Sequence, residues 1–124
     1  MNTKKHNQLL KTLNLNDILF KEITAKTLSD IEYIYLSSNQ SLNQNQINFL
    51  FMQNIDNVNI NLLRNKNCPK NKIEEFLTLN DKIYNIAISH NEDLDIKIYD
   101  KLLSLNDIDV TTSLEYAQSI KKGL

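Results

Sequence analysis

The chain is poor in the residues that staple and punctuate small proteins: of its 124 residues one is cysteine, one glycine and one proline. With Cys68 alone no internal disulfide forms, and one thiol by itself is too small a set for a structural metal site. The single glycine, Gly123, excludes a glycine-rich phosphate loop. It also leaves tight turns and helix caps to Asn and Asp, whose side chains bond nearby backbone groups. Charge of one sign is lacking too. The net charge is -1, so no global basic field exists to hold a phosphate backbone. No run is long and apolar enough to span a bilayer, and Met1 to Asn7 has no apolar stretch of signal-peptide type. These absences give the expectation of a cytoplasmic chain with no membrane partner. Hydrophobic residues make up 41%, enough for a packed core.

The chain has an internal repeat of about 26 residues. Asn39, Asn65 and Asn91 fall in one column. Ahead of them lie Ile34, Ile60 and Ile86, then Leu36, Leu62 and Ile88. After them come Leu42, Cys68 and Leu94, then Ile47, Ile73 and Tyr99, then Leu50, Phe76 and Leu102. Two copies close on Leu79-Asn80-Asp81 and Leu105-Asn106-Asp107. Residues 1–30 read as an N-terminal cap, 31–107 as three repeats, and 108–124 as a degenerate C-terminal repeat, together one domain. Terminal repeats are atypical because one face has no neighbour to bury against.

The second part of each repeat has helical spacing: Ile73, Phe76 and Leu77 in one copy, Tyr99, Leu102 and Leu103 in the next. Ser41, Asn67 and Asp93 stand where helix N-caps are expected, with Leu79 and Leu105 extending the apolar stripe. The first part admits two readings. Val58-Asn59-Ile60-Asn61-Leu62 alternates as a strand does, whereas Val110 and Leu114 are spaced as in a helix.

The stretch Asn65-Lys66-Asn67-Cys68-Pro69 through Ile73-Glu74-Glu75-Phe76-Leu77 to Asp81 resembles the leucine-rich repeat variant family. That resemblance implies an all-α fold, a short right-handed solenoid of paired helices. Asn43 and Asp95 replace Pro69 in the other copies, and the N-terminal cysteine cluster that carries an iron–sulfur centre in the founding member of that family is lacking, so no cofactor is expected. Ile83-x-x-Ile86-x-Ile88-x-x-Asn91 is also similar to the strand signature of true leucine-rich repeats of the cysteine-containing class. This alternative implies an α/β fold with Asn39, Asn65 and Asn91 as a buried ladder.

No catalytic constellation stands out. Cys68 shares its column with leucines and fills an apolar slot. Glu92, Asp93 and Asp95 suit the first turn of a helix, where the dipole favours acids without any catalytic role. His6 lies in a tail expected to be mobile. Arg64, Lys66, Lys70 and Lys72 form a local basic group that the other copies do not continue, and Lys121-Lys122 forms another. Repeated Asn columns are architectural, and what differs between copies is available for recognition.

The expectation is therefore a non-enzymatic protein–protein interaction module, an inhibitor, immunity factor or adaptor. Its partner would lie on Tyr33, Tyr35, Asn59, Asn61, Arg64, Asn85 and His90. No cofactor, metal or catalytic residue is expected. The alternative is a nucleic-acid-binding helical repeat, disfavoured by the charge balance. A second copy of the chain, pairing through an end repeat, is a further partner to consider.

Overall fold

The computed structural model describes residues 3–121, with the side chain of Lys121 excepted. The readings that touch Met1, Asn2, Lys122 and Gly123 lie outside the described residues. All regular structure among the described residues is α-helical: α1 (Thr3–Thr12), α2 (Asp17–Thr24), α3 (Asp30–Ser37), α4 (Gln44–Phe51), α5 (Asp56–Leu63), α6 (Lys70–Leu77), α7 (Lys82–Ser89), α8 (Ile96–Ser104) and α9 (Ile108–Lys121). The starts of α3, α5, α7 and α9, and of α4, α6 and α8, follow the sequence repeat. This is a repeating helix-pair architecture of the helical-repeat, solenoid-like kind.

The strand-plus-helix alternative is thus corrected. The segments that alternate, Val58 to Leu62 and Tyr84 to Ile88, are helical. Their alternation arises because polar side chains occupy interior positions: Asn59 and Asn85 are as buried as their apolar neighbours. A helix of eight residues is also too short to display its period.

Most of these helices span two turns and would not hold in isolation. Local signals set their ends. Ser29 caps α3 and Asn43 caps α4, each in a capping box with Glu32 or Gln46 returning to the cap backbone. Asn16, Asp81 and Asp95 cap α2, α7 and α8. The expected caps Ser41, Asn67 and Asp93 are corrected to Asn43, Pro69 and Asp95, two residues on. The backbone N–H groups of the first three are bonded instead to Asn39, Asn65 and Asn91 Oδ1, each at 2.8 Å. At the opposite turns the only positive φ angles among non-glycine residues belong, in the described residues, to Asn54, Asn80 and Asn106, at 59°, 51° and 54°. Asn there does the work that a C-terminal glycine usually does.

The chain forms two compact units, residues 1–62 and residues 63–124. In the first, α1 packs on α3 and α3 on α4. Its interior holds Leu10, Leu15, Phe20, Leu36, Leu42, Ile47, Leu50 and Leu62, with Phe20 edge-on to Phe49 at 5.7 Å. In the second, α7 packs on α9, α6 and α8. Its interior holds Leu63, Ile73, Ile88, Ile98, Leu102, Val110 and Leu114. Burying one such aliphatic side chain contributes about 1.5–3 kcal/mol.

Buried asparagines tie the turns together inside each unit. Asn39 Nδ2 donates to Leu10 O at 2.9 Å and Leu13 O at 2.7 Å. Asn91 Nδ2 donates to Leu63 O at 2.9 Å and Asn65 O at 2.8 Å. Each clamps its own turn with one end of the amide and the preceding turn with the other. A second polar register lies in the first helices. Asn61 Nδ2 reaches Ser37 Oγ at 3.0 Å, and Ser89 Oγ meets Ser113 Oγ. Where the Ser37 and Ser89 column has Leu63, the Asn61 and Ser113 column has Ala87, so polar faces polar and apolar accompanies small.

α1 departs from the sequence reading of a mobile tail. His6 lies on this helix, and its Nε2 sits 2.9 Å from Glu32 Oε2 on α3. Asn7 and Leu10 are its buried face.

Candidate partner-binding surface

The residues expected to meet a partner fall into three structural classes. Asn59 and Asn85 are buried, 6% and 4% exposed, and leave the outward-facing set. The physical reason is their helical setting: they lie on the same side as Leu62 and Ile88, not on the opposite face that a strand would give them. Asn61 is half-buried, and its Nδ2 is used within its own unit, on Ile34 O at 3.1 Å and Ser37 Oγ. Tyr33 is half-buried on α3, and Tyr35 is exposed on the same helix.

Arg64 and His90 are the two basic members of the set. Each directly follows its helix, Arg64 after α5 and His90 as the C-cap of α7. Asn91 bonds Leu63 O and Asn65 O, the residues on either side of Arg64. This bracket sets His90 alongside Arg64. Burial first, and then the positive Arg64, hold the His90 imidazole below its ordinary value. Neither forms an ion pair among the described residues, and nor does Lys66. The rest of the local basic group is engaged: Lys70 Nζ lies 3.6 Å from Asp95 and Lys72 Nζ 3.4 Å from Glu75.

Tyr116, outside the expected set, occupies the position after His90 in the same column (Ser38, Arg64, His90, Tyr116) and is 61% exposed. The column itself was the signal for it. A second exposed feature was misread in sequence. Leu79 and Leu105 do not extend the buried stripe but stand exposed in the turns beyond α6 and α8, with Ile83 and Ile108 nearby in the first turns of α7 and α9. Lys82 Nζ bridges these two starts, 2.6 Å from Asp109 and 3.8 Å from Asp107. Those carboxylates raise the Lys82 pKa, the hydrogen bond to Asp109 foremost.

Cys68 is buried, with Sγ 3.7 Å from Pro69 O, and desolvation pushes its thiol up to about 12. That environment suits packing and opposes nucleophilic use. A hollow of about 400 Å³ between α1 and α3 is lined by Thr3, His6, Asn7, Ser29, Ile31 and Glu32. Its charged group is already spent: Glu32 accepts from the Ser29 N–H and pairs with His6, and the Ser29 backbone bond leads the causes that lower its pKa. No cluster of three or more metal-ligating side chains occurs among the described residues, and no helix there is long and apolar enough to cross a membrane.

No family model matches the chain, and no curated protein or solved structure does so either.

Proposed function

We propose that the chain is a protein–protein interaction module, of the inhibitor, immunity or adaptor kind, acting by binding and not by catalysis. One observation carries this reading. The column Asn39, Asn65, Asn91 is identical in three copies and buried, whereas the residue just before it differs every time and is exposed or half-buried: Arg64 exposed, Ser38 and His90 half-buried. Identical residues build the turn, and the varied position beside them is left for recognition. Arg and Tyr, which stand at that column in unit 63–124, are the side chains most enriched at energetic centres of interfaces.

The reading places the chain in the cytoplasm, where its free Cys68 would stay reduced. It keeps the kinship to leucine-rich repeat variants as a proposal, supported by the paired helices and the Asn-x-x-Cys-Pro turn of residues 65–69.

The test compares capture from native lysate by the wild-type chain and by an Arg64→Glu/His90→Glu variant of unchanged circular dichroism. A captured protein is then purified and titrated against both by calorimetry. Binding by the wild type that the variant loses supports the reading. A wild type that binds no protein at all contradicts it. Salt-sensitive gel shifts of DNA or RNA would instead favour the nucleic-acid alternative, and concentration-dependent sedimentation would favour a second copy as partner.

A further inference from the structure

We propose that Arg64 and His90, with Tyr116 beside them, receive a carboxylate-bearing segment of a protein partner, one carboxylate bridging the guanidinium and the protonated imidazole. The proposal rests on the protein-binding reading and adds the chemistry of the partner at this spot.

Three observations carry it. The hydrogen bonds from Asn91 to Leu63 O and Asn65 O hold residue 90 against residue 64, so the guanidinium and the imidazole emerge side by side. Neither meets an acid among the described residues, although Lys70, Lys72 and Lys82 all do. Tyr116 lies one helical turn beyond Ser113, whose hydroxyl meets that of Ser89, the residue before His90.

A cation at a helix C-terminus is favoured by the dipole, and this alone could place either residue. It does not account for placing both together, since like charges disfavour each other. Ser38 at the same column shows that the turn needs no cation, its Oγ bonding Tyr35 O instead. An anion laid between Arg64 and His90 would relieve their repulsion and favour the charged imidazole.

The charged and titratable residues of the adjoining turns and of the following stretch of α9, which packs on α7, are Arg64 and Lys66 after α5, Glu92 and Asp93 after α7, and Glu115 and Tyr116 on α9. Besides burial, only Arg64 shifts His90. The acids favour a short acidic peptide over a nucleic acid: Glu92 and Asp93 would repel a continuous phosphate track but leave room for a single carboxylate.

The probe is a capped peptide carrying a single glutamate among neutral residues, titrated into the ¹⁵N-labelled full chain, at pH about 7.5 and about 5.5, spanning the ordinary range of histidine. The expected result is saturable shifts confined to residues near Arg64, His90 and Tyr116, with affinity several-fold tighter at the lower pH. The His90 titration midpoint should rise when peptide is present. Arg64→Gln should raise that midpoint in the free protein and weaken the peptide, and His90→Gln should remove the pH dependence. No shift at millimolar peptide, or an oligothymidylate of equal charge binding the same residues more tightly, overturns the proposal. If partner capture survives in Arg64→Gln with full affinity, the protein-binding reading stands and this inference alone falls.

Discussion

Replacing Asn91 by alanine tests the turn architecture where its bonds are best defined. Asn91 is 1% exposed and makes three hydrogen bonds: Nδ2 to Leu63 O and Asn65 O, and Oδ1 from the Asp93 N–H. Alanine removes all three. Each is worth about 1 kcal/mol net, rising to about 1–3 kcal/mol where its loss leaves a buried group unpaired. Leu63 and Asn65 are fully buried, so their carbonyls lose a donor where water does not easily replace it, whereas the exposed Asp93 recovers a water partner. The sum is about 3–4 kcal/mol, a large share of the about 5–15 kcal/mol that holds an ordinary domain folded. The assay is urea unfolding followed by far-UV circular dichroism. The midpoint should fall with the slope unchanged, and the melting temperature should drop by about 10 °C. Asn91→Asp sharpens the test. It keeps the acceptor for Asp93 but sets a carboxylate against two carbonyls, so at neutral pH it should cost at least as much as alanine. Such a carboxylate has a folded pKa above its unfolded value. The deficit is therefore full above the folded pKa and shrinks as pH falls through it. A loss under about 1 kcal/mol for Asn91→Ala would refute the reasoning.

Other perturbations follow from the same geometry. Asn80→Gly or Asn106→Gly should be neutral or slightly stabilising by thermal melting, and Asn→Ala at either position should cost about 1 kcal/mol, because φ is positive there. Ser89→Leu alone should destabilise, and the added Ser113→Ala should recover part of the loss, since the pair would then copy Leu63 and Ala87; a double-mutant cycle measures the coupling. Cys68 should resist a thiol reagent at neutral pH in the native protein and react at once in denaturant, as its thiol is buried and pushed up to about 12. The Glu32 carboxyl has a lowered folded pKa, so what it contributes to seating α1 is present above its unfolded value and lost as pH falls through the folded one; His6→Ala should reduce that acid dependence.

Much of the architecture was legible because the repeat columns carry it. The identical Asn39, Asn65 and Asn91 read as architectural, though their burial was implied only by the strand-bearing alternative that the structure overturns; the scarcity of glycine pointed to Asn at the turns, where Asn54, Asn80 and Asn106 take positive φ. Helix against strand was not legible in the first halves. Two interior positions there hold Asn59 and Asn85, and polar interior residues convert a helical stripe into apparent alternation. The same two residues were misplaced on the outer surface for that reason. The α1 helix was hidden because Lys4, Lys5, His6 and Asn7 look like a solvated tail, and only the structure shows Asn7 buried. Leu79 and Leu105 continue the helical spacing in sequence, but each helix has already ended and the following Asn turns the chain away. Of the candidate surface, Arg64 and His90 could be named from their column. Their pairing could not, because it depends on the bonds by which Asn91 brackets Arg64.

The central claim is that the alternating segments are helices, locked by buried asparagines at their ends. Backbone Cα and Cβ chemical shifts across Asp56–Leu63 and Lys82–Ser89 test it directly. Shifts of helical sign through both segments, ending at Arg64 and His90, are expected. Shifts of strand sign across Val58 to Leu62 or Tyr84 to Ile88 would contradict the account.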